Sequence, residues 1–211
     1  MHQRINRTVY FAPHRVHNHI MTTNDTQDRG GIVGGALTVA LLITLAVQNA
    51  VPPMATDMYS AAFPQITADL ATNSTMLGFT LTTFFVGFAT GQVLGGAISD
   101  QIGRRRPIVA GGIIALVGSM ICVFAPGIWV LLVGRVFQGL GGGVASSVAR
   151  AILVDVARGK MLARAMSLIQ AIVGFAPMLA PVLGAFIITH ATWRVVFWAL
   201  AAFTLLMAAL A

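Results

Sequence analysis

Of 211 residues, 57% are hydrophobic and only 9% charged, against roughly 25% charged residues in an ordinary soluble domain; such a chain cannot give itself a water-facing surface, whereas a lipid-facing one needs none. The net charge of +7 would suit nucleic-acid binding, but the basic residues prove to be distributed for another purpose. The single cysteine, Cys122, sits in an apolar run and excludes an intrachain disulfide and a multi-cysteine metal site.

Residues 1–30 are polar and irregular, with Arg4, Arg7, Arg15, Arg29 and four histidines, His2, His14, His17 and His19. A histidine cluster can hold a metal, but no acidic or cysteine partner is interleaved, so the segment reads as a disordered cytoplasmic tail. It has no apolar run or cleavage site of a signal peptide, and Met21 offers an alternative start. Six apolar stretches follow near 31–58, 75–99, 107–126, 129–153, 164–189 and 193–211. Each is long enough to cross a hydrocarbon core, which takes about 20 helical residues. The expected fold is therefore an all-α integral membrane bundle of six transmembrane helices. The first stretch carries Gln48-Asn49 and Pro52-Pro53, which predicts a bent or broken helix. The last stops at Ala211 inside an apolar run, which predicts a partial chain.

Orientation follows from the basic residues. With the N-terminus in the cytoplasm, the inner segments hold the tail arginines, Arg104, Arg105, Arg106, Arg150, Arg158, Lys160 and Arg164, and the outer loops only Arg194. That is a positive-inside distribution, and it accounts for the net charge without nucleic acid. Gly87, Gly91 and Gly95 recur every four residues on the second stretch, and Gly139, Gly143 and Ser147 do so on the fourth. Small residues at this spacing let helix backbones approach closely.

Chemistry is concentrated in a few segments. Between the second and third stretches runs GGAISDQIGRRRPI, with Gly96, Asp100, Gly103, Arg104 and Arg105; a plain basic loop explains the arginines but not the Gly-Asp-Gly spacing. The fourth stretch holds Arg135, followed by Gln138 and Gly139. A charge at such depth costs about 2.5–3.5 kcal/mol on insertion scales and is functional by default, the alternative being an arginine that snorkels to the nearer interface. ATDMYSAAFPQI closes the first stretch with Asp57, which also suits a simple loop cap. The fifth contains GFAPMLAPVLGAF with Pro177, Pro181 and Gly184, and Trp193-Arg194 with Phe197 opens the sixth; helix packing and an interfacial tryptophan anchor are the plain readings of these.

Taken in order, these segments resemble the major facilitator superfamily over about residues 32–211. The loop between the second and third helices is similar to its Gly-Asp-Gly-basic signature, with Gln101 where a basic residue is usual. Arg135, Gln138 and Gly139 fit its fourth-helix motif. The Asp-Met-Tyr segment resembles the bicyclomycin and chloramphenicol resistance branch of drug exporters, with Ser60 departing from it, and the fifth stretch resembles the antiporter motif, with Ala180 and Ala185 at frequent glycine positions. The resemblance implies the N-terminal six-helix half of a drug:proton antiporter of the inner membrane, without cofactor or metal, with its substrate bound at the midplane between two halves. It implies roles in proton coupling or the substrate cavity for Asn49, Asp57, Arg135 and Gln138, and a gating cluster of Asp100, Arg104 and Asp155. The missing partner would be a second six-helix half or another copy of the chain, so the chain alone is expected not to transport. A truncated, non-transporting membrane protein and an uptake transporter are the alternatives. An intramembrane serine protease lacks a histidine inside the bundle, since only His190 lies outside the tail, and no phosphate-binding Gly-Lys-Ser/Thr loop is present.

Overall fold

The structure, a computed structural model, describes residues 39–210. The tail with its histidines and the alternative start, the first eight residues of the expected first span (31–38) and Ala211 lie outside the described residues. Seven helices appear in order: α1 Val39–Ala61, α2 Phe63–Asp69, α3 Ser74–Ile102, α4 Arg105–Val123, α5 Ile128–Val156, α6 Gly159–His190 and α7 Arg194–Leu210. Six are long, and among the described residues there is no strand. Four of them, α3 to α6, are long and apolar enough to cross a membrane, and Trp193–Leu206 forms a shorter apolar helix. At 29 residues each, α3 and α5 extend about 43 Å at the helical rise, more than the roughly 30 Å hydrocarbon layer. Much of the apolar side-chain surface faces outward, as at Val93, Phe175, Met178, Val182 and Phe186. The chain is a multi-pass membrane protein.

Of the two readings of the first span, bent or broken, the second is corrected. The helix is not broken at Pro52-Pro53, because α1 runs through both to Ala61. Each proline removes a backbone donor, which a spanning helix tolerates where side chains or a polar cavity meet the freed groups. The carbonyls left without their helical donors are those of Gln48 and Asn49, four residues back; both prolines and Asn49 line a polar cavity, and the Thr56 hydroxyl donates to the Pro53 and Pro52 carbonyls at 2.9 and 3.3 Å. The short α2 has Pro64 in its first turn, where a missing N–H is harmless.

α5 is the central helix. On one side Gly139 and Gly143 lie on the Phe84 and Phe88 carbonyls of α3, while Gly87 and Gly91 lie on the Val136 and Leu140 carbonyls of α5. On the other, Gly141 and Gly134 meet Ala115 and Cys122 of α4, and Gly111 and Gly118 of α4 return the contact. A Cβ at any of these positions would run into backbone or a buried sulfur. The α3 glycine row of Gly87, Gly91 and Gly95 is thus covered by α5. α6 is placed differently: its small residues Ala176, Ala180 and Gly184 are buried, with Gly184 against Met58 of α1, and most of its remaining surface is exposed.

The apolar core has two centres. One, around Tyr59, Phe84, Trp193 and Phe197, lies toward the Asp69 end of the bundle. The other, around Leu45, Ile108, Val148, Leu153 and Ile169, lies toward the Asp100 end.

Candidate functional site

Arg135 is fully buried, so it does not snorkel and does not lie on an open cavity face. Its Nη1 donates to the Gln138 side-chain oxygen at 2.6 Å and to the Ala55 carbonyl at 3.1 Å. The guanidinium carbon lies 4.4 Å from the Phe84 ring centroid and 4.5 Å from that of Tyr59. Gln138 in turn donates to the Ser119 hydroxyl at 2.9 Å, and the Tyr59 hydroxyl lies 2.7 Å from Thr80 Oγ1. Among the described residues, Nε and Nη2 carry no hydrogen-bond partner and no carboxylate neutralises the cation. Insertion at such depth costs about 2.5–3.5 kcal/mol, and two desolvated cation–π contacts of about 2 kcal/mol each are large enough to offset that. Aromatic faces, two oxygen acceptors and a hydrogen-bonded glutamine hold the charge where a counter-ion would be expected.

Asp57 is not part of this node. It is half-buried, and its carboxylate accepts only from the neighbouring Thr56 hydroxyl, at 3.3 Å. Among the described residues it forms no ion pair. Asp57 and Arg135 are therefore not in contact as an ion pair in this conformation. Both flank Ala55, two residues before Asp57, whose carbonyl Arg135 holds.

A polar cavity of ≈ 370 Å³ opens between α1, α3, α5 and α6. Asn49, Thr56, Gln92, Ser146, Arg150 and Gln170 supply its polar wall; Phe85, Phe88 and Val173 supply apolar surface. The volume falls in the range of drug-sized sites. Asn49 was expected here, and its amide is steadied by a 2.8 Å bond to the Leu45 carbonyl. The neighbouring Gln48 is buried on another side of α1, lining a small void with Thr204 of α7. Gln92 and Gln170 were missed by the sequence reading, although a glutamine inside an apolar span is a legible signal. Arg150 was counted only as a positive-inside charge.

Ionic clusters occupy both ends of the bundle. At one, Arg104 donates to Asp100 at 2.6 Å, to Asp155 at 2.8 Å and to the Ser99 hydroxyl at 2.7 Å. The structure therefore brings Asp100, Arg104 and Asp155 together, and these bonds, that to Asp155 foremost, hold the Arg104 guanidinium further above its ordinary pKa. α3 does not continue into the loop. It stops at Ile102, and Gly103 takes φ +86°, a left-handed turn natural to glycine that folds Arg104 back one turn onto Asp100. A Cβ added at Gly96 would meet open space, and Arg105 is exposed and unpaired among the described residues.

At the other end, the Asp69 carboxylate accepts from Trp193 Nε1 at 2.8 Å and from Arg194 at 2.7 Å, while Arg194 also reaches the Ala125 carbonyl at 3.4 Å. These bonds, the tryptophan's first, hold the Asp69 carboxyl below the usual aspartate range. Trp193 is buried and is no interfacial anchor. In α6, Pro177 and Pro181 are exposed while Gly184 packs on α1, so the three do not converge on one feature.

Comparison with known proteins agrees with this architecture. The family model described as Major Facilitator Superfamily matches residues 45–211. The chain is similar to the uncharacterized MFS-type transporter YdgK of Bacillus subtilis (strain 168), 34% identical over 161 residues, which is 75% of this chain and 40% of that protein. It is similar to the multidrug resistance protein MdtL of Citrobacter koseri, 35% identical over 150 residues, 71% of this chain and 38% of MdtL. Among solved structures, the proton:xylose symporter XylE bound to 6-bromo-6-deoxy-D-glucose superposes with a TM-score of 0.72 at 16% identity, over 82% of this chain and 43% of that one. A peptide transporter POT (E310Q mutant) in complex with alafosfalin gives 0.67, also at 16% identity, over 80% of this chain and 37% of its own. At that identity the likeness speaks for the fold alone. The chain spans about two fifths of the length of the curated relatives it matches. A family match over most of its length, a bundle of six long helices and superposition on facilitators together place it: the chain belongs to the major facilitator superfamily.

Proposed function

We propose that the chain forms the N-terminal six-helix half of a proton-coupled exporter of drug-like molecules, oriented with its N-terminus in the cytoplasm. The observation that carries this reading is the polar cavity between α1, α3, α5 and α6, drug-sized and open on one side, in a chain similar to a protein named for multidrug resistance. A second half, or another copy of the chain, would close the open side and complete the site. Asp57 is the proton-accepting group. It is the one acidic side chain of α1, half-buried, with no cationic partner among the described residues, and a carboxyl that alternates between a wet and a dry surrounding changes its proton affinity. Arg135 is then the fixed positive element, two residues of α1 away through the Ala55 carbonyl. The Asp100–Arg104–Asp155 cluster is a gate latch that holds the outward-facing state.

The test uses the complete gene product in liposomes with an imposed pH gradient. Wild type is expected to move a fluorescent drug against its gradient with accompanying proton flux. Asp57→Asn is expected to abolish gradient-driven movement while drug binding stays within about twofold of wild type. Unchanged proton coupling in Asp57→Asn would remove Asp57 from the mechanism, and drug movement insensitive to the pH gradient would remove the antiport.

A further inference from the structure

The charge on the cavity wall allows a statement about which molecules fit it. Its polar surface comes from Asn49, Thr56, Gln92, Ser146, Arg150 and Gln170. One of these is a cation and none is an acid. The described carboxylates are accounted for elsewhere: Asp100 and Asp155 pair with Arg104, Asp69 pairs with Arg194, and Asp57 accepts from Thr56 without lining the cavity. Arg150 itself spends only Nε, on the Ser146 carbonyl at 3.3 Å. Its two terminal nitrogens have no partner among the described residues, and no carboxylate faces them. Arg150 lines the cavity and is exposed, so its terminal nitrogens are open to a ligand.

We propose that this cavity selects substrates carrying one anionic group, a carboxylate, sulfonate or phosphate, and that Arg150 is the residue that receives it. This rests on the reading of the cavity as the substrate site and goes beyond it by naming the substrate's charge. The chemistry is that of the guanidinium fork, whose paired N–H groups match two oxygens of a planar or tetrahedral anion, a match that a lysine ammonium makes only as a point charge. Gln92, Gln170 and Asn49 then present neutral amides to the polar part of the molecule, while Phe85, Phe88 and Val173 take its apolar body. A lipophilic organic cation finds the opposite of what it needs: one positive charge with no carboxylate beside it among the described residues. The selected molecule is thus an amphiphile with an aromatic or aliphatic body and a single acidic head.

The experiment uses the complete gene product in liposomes and three tritiated probes on one scaffold: naphthylacetate, naphthylacetamide and naphthylmethyl-trimethylammonium. Equilibrium binding is measured for each, with export under a pH gradient alongside. Wild type is expected to bind the carboxylate about 10-fold or more tighter than the amide, the effect of one charged hydrogen-bonding pair, and to bind the ammonium weakest. Arg150→Gln should bring the carboxylate down to the level of the amide, and Arg150→Lys should keep part of the preference. A wild type that binds and exports the ammonium better than the carboxylate overturns anion selection and leaves export standing; an acid from the completing half paired with Arg150 would give that result. A carboxylate preference that survives Arg150→Gln overturns the role of Arg150. A wild type that neither binds nor exports any of the three defeats this inference, and the export of other drugs by the same liposomes then shows whether the transport reading falls with it.

Discussion

Two neighbouring glycines of α5 should respond to the same substitution with opposite sign. In a helix interior alanine is favoured over glycine by about 0.8–1.0 kcal/mol. At Gly142 an added Cβ meets only Phe88 Cδ2, at 4.0 Å, an ordinary contact, so Gly142→Ala is expected to stabilise the protein by up to about 1 kcal/mol. At Gly139 the same Cβ would overlap the Phe84 carbonyl oxygen and come within 2.9 Å of its carbon and 3.0 Å of the Phe88 nitrogen. All three atoms are backbone, so no rotamer change relieves them and α3 must move away from α5. Overpacking of this kind costs about 1–3 kcal/mol, and here the upper part of that range applies, because parting the helices also loosens the contacts at Gly87, Gly91 and Gly143. After subtracting the propensity gain, Gly139→Ala should be destabilised by about 1–2 kcal/mol. Unfolding of the purified protein from dodecyl maltoside into SDS, followed by tryptophan fluorescence, measures both variants against wild type. A Gly139→Ala protein as stable as wild type, or more stable than Gly142→Ala, would refute the backbone-on-backbone account of the α3–α5 interface.

Two further outcomes follow from the charged ends. Because its partners hold the Asp69 carboxyl low, its contribution to stability is fully present above the ordinary aspartate pKa of about 3.9 and is lost only as pH falls through the lowered value. The emission of buried Trp193 should therefore stay constant from pH 7 to 5 and shift to the red only in stronger acid, while Asp69→Asn should be red-shifted throughout; a wild-type shift at pH 5 to 6 would contradict this. At the opposite end, Asp155→Asn removes the carboxylate that Arg104 Nε holds at 2.8 Å. With a cysteine placed at Gln92 on the cavity wall, labelling by an impermeant maleimide from the cytoplasmic side should rise in that variant, and unchanged labelling would count against the latch.

How much of this was readable beforehand differs residue by residue. The long helices were, because apolar stretches of membrane length leave few alternatives. Arg135 was flagged by its charge within such a stretch, and the Gly-Asp-Gly-basic segment marked the Arg104 loop. The surroundings of Arg135 were not readable. Sequence reasoning looks for a carboxylate to pair with a cation, and Asp57 was the nearest candidate, whereas the guanidinium is held by two rings, a carbonyl and Gln138. Neutral partners carry no mark in a sequence, since phenylalanine and tyrosine in a span look like ordinary core. The cavity was half readable: Asn49 stood out beside the prolines, but Gln92 and Gln170 were passed over in a search for charges. For Trp193 packing and an interfacial anchor both stood open, and what decides for burial is its bond to Asp69, 124 positions earlier. The prolines of α1 misled for a similar reason, since α1 runs through both beside a polar cavity built from α1, α3, α5 and α6, which no local pattern marks.

The order of residues around Arg135 bears on how the chain is made. Chains emerge from the ribosome N-terminus first, and Ala55, Tyr59, Phe84 and Ser119 all precede Arg135. When α5 reaches the translocon, the receptor for its one deep charge has already been synthesised on α1, α3 and α4. Only Gln138, one turn later, has still to arrive. A helix that would partition reluctantly into lipid alone can thus be handed sideways to waiting neighbours, its glycine faces offering no side chains to obstruct docking. Moving the same arginine motif ahead of α3 in a permuted gene would keep every contact of the finished bundle yet deprive the nascent helix of that reception, and membrane insertion would be the step to suffer.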